Sequence, residues 1–308
     1  MNGNIASDEA IKNRNSGDCI NALSVDVEDY FQVQALSQQI SREDWNSIPR
    51  RVENNIDRLI ALFDENKAHA TFFVLGWIAE RHPEMVRRMA AAGHEVASHG
   101  YDHRRVDELG PEMFREDVRR SKSIIEELVD KPVLGYRAPT FSIGARTPWA
   151  HEILEQEGYR YSSSTYPIRH DLYGAANGPR QPFRAGHGSL LEIPLTTRRL
   201  FGQNIPCAGG GYFRLLPYWM SRRNLRRAHA EAALPCIFYF HPWEIDAEQP
   251  RVPSLTARTR FRHYTNLSLM PARLERLTRD FKWGRIDTVF GNFLAAASQA
   301  STAGAARG

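Results

Sequence analysis

The strongest constraint on the fold is a regular alternation of strand-like and helix-like segments along most of the 308 residues. Apolar runs such as ATFFVLG at 70–76 and HEVASH at 94–99 predict buried strands. The stretch RRVENNIDRLIALFDENK at 50–67 has the apolar spacing of an amphipathic helix. Strands and helices that alternate with short connections build a parallel sheet covered by helices. About seven such strands predict an α/β fold whose sheet curls into a closed or nearly closed barrel.

The later part of the chain is less regular. We predict a strand at 189–197, a Gly-rich loop at 206–217, irregular structure at 245–270 and a short extra strand at 285–290. The first 19 residues and the tail 294–308 are predicted to be disordered, the tail because it is small and polar.

Composition describes an ordinary globular protein, with 42% hydrophobic and 25% charged residues. The three cysteines, at 19, 207 and 236, are far apart and odd in number, so we interpret them as reduced thiols. The densest basic stretch, SRRNLRRAHA at 221–230, lacks a nucleic-acid recognition motif, and we expect no nucleic-acid partner. No run of 18 apolar residues predicts a membrane span, and the first residues lack the apolar region of a secretory signal. These features favour a cytoplasmic location.

Two histidines four residues apart, His99 and His103, follow the predicted strand HEVASH. The pair can arise by chance in a chain with 11 histidines. The alternative is a metal site, because imidazole is a common ligand and side chains at i and i+4 converge on one face of a helical turn. A catalytic zinc needs three protein ligands and an open position, so a third ligand has to come from elsewhere.

Carboxylates at the end of the first predicted strand can supply that ligand. In SVDVED, Asp26 and Glu28 point to the same face, where a cation or a proton would relieve their repulsion. Asp29 is a third candidate if the strand ends or bulges there. A solvated acidic turn is the alternative, and it is weakened by the buried-type residues Leu23, Val25 and Val27.

Other polar residues also follow predicted strands. Arg137 precedes a rigid Ala-Pro turn in YRAPTF and is suited to a bidentate bond with a buried carboxylate, although an exposed arginine is the simpler interpretation. His241 ends the apolar strand CIFYFH, where a core histidine is the alternative. The stretch CAGGGYF lacks the Lys-Ser/Thr of a phosphate-binding loop and indicates a tight turn or a close approach to substrate. In a parallel barrel all strand ends of this kind face one mouth, where active sites form.

Four motifs each lie at a predicted strand end, and along the chain they come in the order SVDVED, SHGYDH, YRAPTF and YFHPWE. Together they resemble NodB-type polysaccharide deacetylases, carbohydrate esterase family 4. The forms DVEDYF, YRAPTF, GGGYFRLLPY and FHPWEID resemble the subgroup associated with exosortase-type exopolysaccharide loci. The resemblance implies a distorted (β/α)7 TIM-like barrel over residues 20–245 and a family-specific C-terminal extension over 246–293.

The resemblance also implies a metal centre. His99 and His103 would bind one divalent metal, usually zinc, with cobalt or nickel as alternatives. The family's acidic motif has two adjacent aspartates, whereas the spacing differs here. We match Asp26 to the base and Glu28 to the ligand, and Asp29 as ligand stays open.

The remaining roles concern the substrate. Arg137 would orient Asp26, and His241 would protonate the leaving amine. A backbone N–H near Thr140 would stabilise the oxyanion, with Pro139 and Trp243 as further substrate contacts. The aspartate that normally orients the catalytic histidine is missing, because this chain has YSSSTYP in its place. Asp246 or Glu244 could substitute.

The implied activity is removal of acetyl groups, N-acetyl in particular, from an acetylated polysaccharide or oligosaccharide in exopolysaccharide synthesis. Association with a membrane-bound polysaccharide assembly system stays open. One rival is a metal-free hydrolase of the allantoinase-like branch, acting on a small cyclic amide or ureide. A second rival is a carbohydrate-binding protein that has lost turnover.

Overall fold

A computed structural model describes residues 19–170, 174–186 and 188–305 of the chain. The predicted disorder of residues 1–18 and of the last three residues therefore lies outside the described part. Within it there are eleven strands and eleven α-helices, and strands and helices alternate as predicted from β1 to β5.

The main sheet contains nine strands, eight of which are parallel, and seven of these lie side by side in the order β10-β1-β2-β3-β4-β5-β7. β6 is antiparallel to β7, β11 adds in parallel to the start of β1, and β8 and β9 form a separate hairpin. The strands are β1 (Ile20–Val27), β2 (Thr71–Val74), β3 (Glu95–Ser98), β4 (Gly135–Tyr136), β5 (Tyr161–Ser162), β6 (Phe183–Arg184), β7 (Leu191–Glu192), β8 (Thr197–Leu200), β9 (Gln203–Pro206), β10 (Ile237–Phe240) and β11 (Lys282–Gly284).

Helices cover the sheet between these strands. They are α1 (Val52–Glu65), α2 (Gly76–Arg81), α3 (Pro83–Ala91), α4 (Val106–Val129), α5 (Ala150–Gln156), α6 (Gly210–Leu215), α7 (Tyr218–Ala232), α8 (Ala257–Tyr264), α9 (Met270–Asp280), α10 (Ile286–Val289) and α11 (Gly291–Ala305). On α1, the residues Val52, Ile56, Leu59 and Phe63 are fully buried, as their spacing predicts. The chain kinks at Gly110 in α4, where φ is 75° and Pro111 follows.

The sheet is curled but open. In the described part of the chain, no strand pairing joins β10 to β6 or β7, so the barrel is not closed by hydrogen bonds. The predicted α/β fold with a curled, mostly parallel sheet is confirmed. Because the strands are parallel, the residues that follow β1, β3, β4 and β10 lie at one edge of the sheet.

Four local predictions are wrong. The segment 206–217 contains the helix α6, the segment 245–270 contains α8, and 285–290 forms α10 with the extra strand just before it. The tail forms α11 as far as Ala305. Buried residues explain the last two cases: Ile286 and Phe290 are four apart, which is a helical spacing, and Ala297 is also buried.

The C-terminal region packs under the opposite edge of the sheet. The N–H of Ile286 donates to Thr71 Oγ1, and the N–H of Asp287 donates to Glu95 Oε2. Thr71 and Glu95 begin β2 and β3, so α10 covers the amino ends of these strands. The division into a barrel over 20–245 and an extension over 246–293 stays a prediction.

Candidate active site

Three buried side chains from two strand ends form a compact group. Glu28 follows β1, and His99 and His103 follow β3. Oε1 of Glu28 lies 3.0 Å from Nε2 of His103 and 3.3 Å from Nε2 of His99. One ligand atom of each residue lies within 4.8 Å of the other two. A carboxylate and two imidazoles converging in this way are a donor set that suits a first-row metal ion with open positions.

The orientation of His99 is set by its second ring nitrogen. Nδ1 lies 2.7 Å from the carbonyl oxygen of Arg137, to which it donates, so Nε2 is the ring nitrogen that faces Glu28. The loop after His99 turns sharply, with φ of 77° at Gly100 and 58° at His103. Asp117 holds this loop by accepting the Tyr101 N–H at 2.7 Å. These contacts orient the His99 ring and hold the loop that leads to His103.

Glu28 is ionised despite its burial. Desolvation acts against the charged form, but the charges of His103 and His241 and the hydrogen bonds from both cluster histidines outweigh it. The pKa of Glu28 therefore lies well below its usual range. An ionised carboxylate beside two imidazoles is the charge state that metal binding requires.

Asp26 forms a second buried pair next to this group. Its Oδ1 accepts a hydrogen bond of 2.6 Å from Nη1 of Arg137, whose side chain is fully buried. The same guanidinium donates to Ser24 Oγ at 2.9 Å and to the carbonyl oxygen of Ser163 at 3.0 Å. The bond to Asp26 is therefore single rather than bidentate, and the bonds to Ser24 and Ser163 hold the guanidinium in place.

Asp29 points elsewhere. Its carboxylate accepts the N–H groups of Tyr30, Arg51 and Val52, at 2.8, 2.7 and 3.0 Å. It therefore caps the amino end of α1, and the structure does not bring it into the group of Glu28, His99 and His103. Burial raises its pKa, although the three backbone hydrogen bonds oppose this shift.

His241 reaches the same centre from the end of β10. Its Nε2 lies 3.7 Å from Glu28 Oε1, and its Nδ1 lies 2.9 Å from Glu244 Oε1. Nε of Arg214, which is buried in α6, donates to Glu244 Oε2 at 2.7 Å. Asp246, the other candidate partner of His241, instead pairs with Arg51. The carboxylate that faces Nδ1 of His241 is thus Glu244.

The surrounding carboxylates set the charge of His241. Desolvation lowers its pKa, but the charges of Glu28 and Glu244 outweigh this and raise the pKa to about 9. For Glu244, burial is outweighed by the charge of Arg214 and the hydrogen bond from His241, which lower its pKa to about 2. These carboxylates favour the protonated form of His241, and its Nε2 faces the group of Glu28, His99 and His103.

The remaining predicted residues lie around this centre. Pro139 and Thr140 form a short turn after Arg137, and Thr140 has a left-handed conformation with φ of 54°. Trp243 is buried and stacks on His241, with 5.3 Å between ring centroids, and on His263, with 4.3 Å. Trp243 therefore supports the face of the His241 ring rather than lying open to solvent.

Two family models divide most of the chain between them. A model for polysaccharide deacetylases matches residues 45–162. The chain contains a NodB-type polysaccharide deacetylase domain. A model for a domain of unknown function, DUF3473, matches residues 163–291. His99, His103 and Arg137 lie in the first match, while His241 and Glu244 lie in the second.

Relatives that are named as deacetylases are similar to this chain over short stretches. A peptidoglycan deacetylase of Helicobacter pylori is 31% identical over 112 residues, which cover 36% of this chain and 37% of that protein. A chitooligosaccharide deacetylase of Sinorhizobium fredii is 45% identical over 56 residues, 18% of this chain and 24% of that protein. The chain thus spans well under half the length of these relatives.

One solved structure has a similar overall fold. The crystal structure of a candidate polysaccharide deacetylase from Mycobacterium smegmatis aligns with a TM-score of 0.59 and 20% sequence identity. The alignment covers 91% of this chain and 92% of that one, so the likeness extends beyond the deacetylase domain to the region that follows it. In the described residues, no helix is both long enough and apolar enough to cross a membrane.

Sequence reasoning missed Arg214. It lies in the segment that was predicted to be a Gly-rich loop, and nothing in its neighbourhood marks it as buried. The glycines of this segment did indicate that α6 lies close to Glu244. A Cβ on Gly210 would overlap the Glu244 carboxylate, so the glycine allows α6 to approach the turn that follows β10.

Proposed function

We propose that this chain is a metal-dependent hydrolase that removes acetyl groups, N-acetyl groups in particular, from a polysaccharide. The observation that carries the proposal is the convergence of Glu28, His99 and His103 beside two separately held groups, Asp26 and His241. Three ligands, a carboxylate and a protonated imidazole are the parts that metal-assisted amide hydrolysis requires.

Glu28, His99 and His103 would hold the ion, with zinc favoured by the imidazole and carboxylate donors, and cobalt or nickel as alternatives. When bound, such an ion lowers the pKa of water from 15.7 toward about 7 and polarises a carbonyl oxygen. Asp29 is not needed for this set, because its oxygens are occupied by backbone N–H groups.

The proton transfers fall to Asp26 and His241. Asp26 accepts the proton of the attacking water, and Arg137 keeps this carboxylate oriented. As the C–N bond breaks, His241 donates the proton on Nε2 to the leaving nitrogen, which departs as a free amine. Glu244 supports this step because it accepts from Nδ1 and stabilises the charged imidazole. The products are acetate and a deacetylated sugar.

The backbone near Thr140 is the proposed oxyanion donor. The turn at 139–141 follows β4 and Arg137, and its left-handed conformation at Thr140 redirects the backbone. Removing one oxyanion donor typically costs about 3 kcal/mol of transition-state stabilisation. We propose that Pro139 contacts the substrate at the same rim, while Trp243 acts through its stacking on the His241 ring.

An acetylated polymer is the proposed substrate, because the relatives named above are deacetylases of peptidoglycan and of chitooligosaccharides. A role in exopolysaccharide synthesis is supported by the motif forms DVEDYF and FHPWEID. The test is acetate release from a panel of N- and O-acetylated glycans, with zinc, cobalt or nickel added and with a chelator as control. Acetate release that a chelator abolishes supports the proposal. Hydrolysis of a cyclic ureide that withstands the chelator favours the allantoinase-like rival.

A further inference from the structure

The serine segment 162–164, at the end of β5, lies against the side chain of Arg137. All three serines are fully buried. The carbonyl oxygen of Ser163 accepts from Nε of Arg137 at 3.0 Å, and Ser163 Oγ accepts from Nη2 at 3.0 Å. Nη1 donates to Ser24 and to Asp26. Ser163 therefore binds the Nε–Nη2 edge of the guanidinium and leaves Nη1 directed at the proposed base.

Ser164 holds the main chain just before the proposed oxyanion turn. Its Oγ accepts the N–H of Ala138 at 2.9 Å and the hydroxyl of Ser162 at 2.8 Å. Ala138 precedes Pro139 and is fully buried, so water cannot replace Ser164 as the acceptor of its N–H. A shift of Ser164 would therefore move the backbone that leads into Thr140.

Glu192 anchors the serine segment from the neighbouring strand, β7. It is fully buried, and its Oε1 accepts the N–H groups of Ser164 and Thr165 at 2.8 and 2.7 Å. Its Oε2 lies 3.1 Å from Nε2 of His151. Burial opposes the ionised form, but the hydrogen bond and charge of His151, with the other hydrogen bonds, outweigh it and hold the pKa of Glu192 below its usual value. An ionised carboxylate that accepts from two adjacent N–H groups holds the main chain firmly at this point.

We propose that Ser163 and Ser164 are positioning residues for the proposed deacetylation. Ser163 sets the base Asp26 through Arg137. Ser164 sets the oxyanion turn through Ala138. This inference rests on the proposed function and names residues that fix the geometry of that same site. Misplacement of a catalytic group by about 1 Å can cost about 100-fold in rate, so one lost contact here should lower turnover. Neither serine belongs to the metal-binding group, so metal binding should persist.

The test measures kcat and KM for Ser163→Ala and Ser164→Ala, each alone and combined with Asp26→Asn. Ser221→Ala is the matched control, because it makes the same change at a buried serine of α7, outside the serine segment. Acetate release from the N-acetylglucosamine tetramer is measured with added zinc, and a glycan of the panel that is turned over faster takes its place. Zinc content and melting temperature are measured on the same preparations.

Each single variant is expected to lower kcat about 10-fold, the effect of one lost buried hydrogen bond, with KM and zinc content close to those of the unaltered protein. Ser221→Ala should keep full turnover. In the Asp26→Asn background, Ser163→Ala should have little further effect, because it acts through Asp26. Ser164→Ala should lower kcat there by the same factor as before, because it acts on a different part of the site.

Turnover equal to that of the unaltered protein in both variants, or a loss confined to KM, would overturn the positioning roles and leave the proposed function standing. The same loss from Ser163→Ala with and without Asp26→Asn would overturn its action through the base. A Ser164→Ala effect that disappears beside Asp26→Asn would overturn its separate action on the turn. An unaltered protein that releases no acetate from any glycan would overturn both proposals. If an alanine variant unfolds or loses zinc, Ser163→Cys or Ser164→Cys is measured in its place, because the thiol keeps a side chain of similar size but is a weaker acceptor.

Discussion

Glu244 Oε1 lies 2.9 Å from Nδ1 of His241, and the two residues belong to the same turn after β10. The carboxylate also accepts the backbone N–H of His241 at 3.1 Å. The residue that orients the proposed acid is therefore a neighbour in sequence, three positions away. The orientation of the His241 ring therefore depends on this one turn and on Arg214, which holds the Glu244 carboxylate.

Glu244→Gln is expected to lower turnover of N-acetyl substrates about tenfold or more, because the imidazolium loses the charge that stabilises it. An activated aryl acetate should be affected much less, since its leaving group needs no proton. Steady-state kinetics on both substrates checks this. Asp246→Asn is the control, as Asp246 pairs with Arg51 and does not contact His241. Equal losses on amide and ester would contradict an acid role for His241.

Arg214→Met is expected to destabilise the fold by about 3–5 kcal/mol, because it leaves the Glu244 carboxylate buried without its cation. The double variant Arg214→Met with Glu244→Gln should recover part of this loss, since no unpaired charge then remains. Denaturant unfolding of the two single variants and the double variant measures the coupling. Additive losses in the double variant would mean that the pair does not act as a unit.

His99→Ala is expected to lose most bound divalent metal, because it removes one of three ligands. Elemental analysis after dialysis against zinc measures this, with His69→Ala as a control on an exposed histidine outside the group. A full equivalent of zinc retained by His99→Ala would show that the ion binds elsewhere.

Asp26→Asn is expected to keep the metal and to reduce acetate release by about 10²–10⁴-fold, as is usual for loss of a general base. Metal content and turnover are measured on the same preparation. Loss of zinc from this variant would instead assign a ligand role to Asp26.

The contribution of Glu95 should make stability fall as pH rises. Burial and the charge of Asp287 raise its pKa to about 7, so the folded state binds a proton that the unfolded state, with a pKa near 4.5, releases. This contribution is fully present below pH 4.5 and is lost as pH approaches 7. It amounts to roughly 3 kcal/mol at most. Glu95→Gln should flatten the pH dependence of the free energy of unfolding between pH 5 and 8; an unchanged slope would contradict the shift.

The sequence by itself determined the parallel α/β fold, and it placed the functional groups at the carboxyl ends of strands. Alternating apolar runs and amphipathic helices are local patterns, and parallel strands place all their carboxyl ends at one edge. Asp26, Arg137 and His241 could therefore be assigned to one centre before any coordinates, because each ends or follows a buried strand.

Only the tertiary structure decided which neighbours complete that centre. Glu28 and Asp29 are adjacent in sequence, but the first faces the histidines while the second caps α1, which begins more than 20 residues later. Arg214 reaches Glu244 across 30 residues of sequence. The segments α6, α8, α10 and α11 were also missed, because their patterns are short or weak; burial of Ile286 and Ala297 favours the helix in α10 and α11. Such choices depend on distant packing, which no local pattern contains.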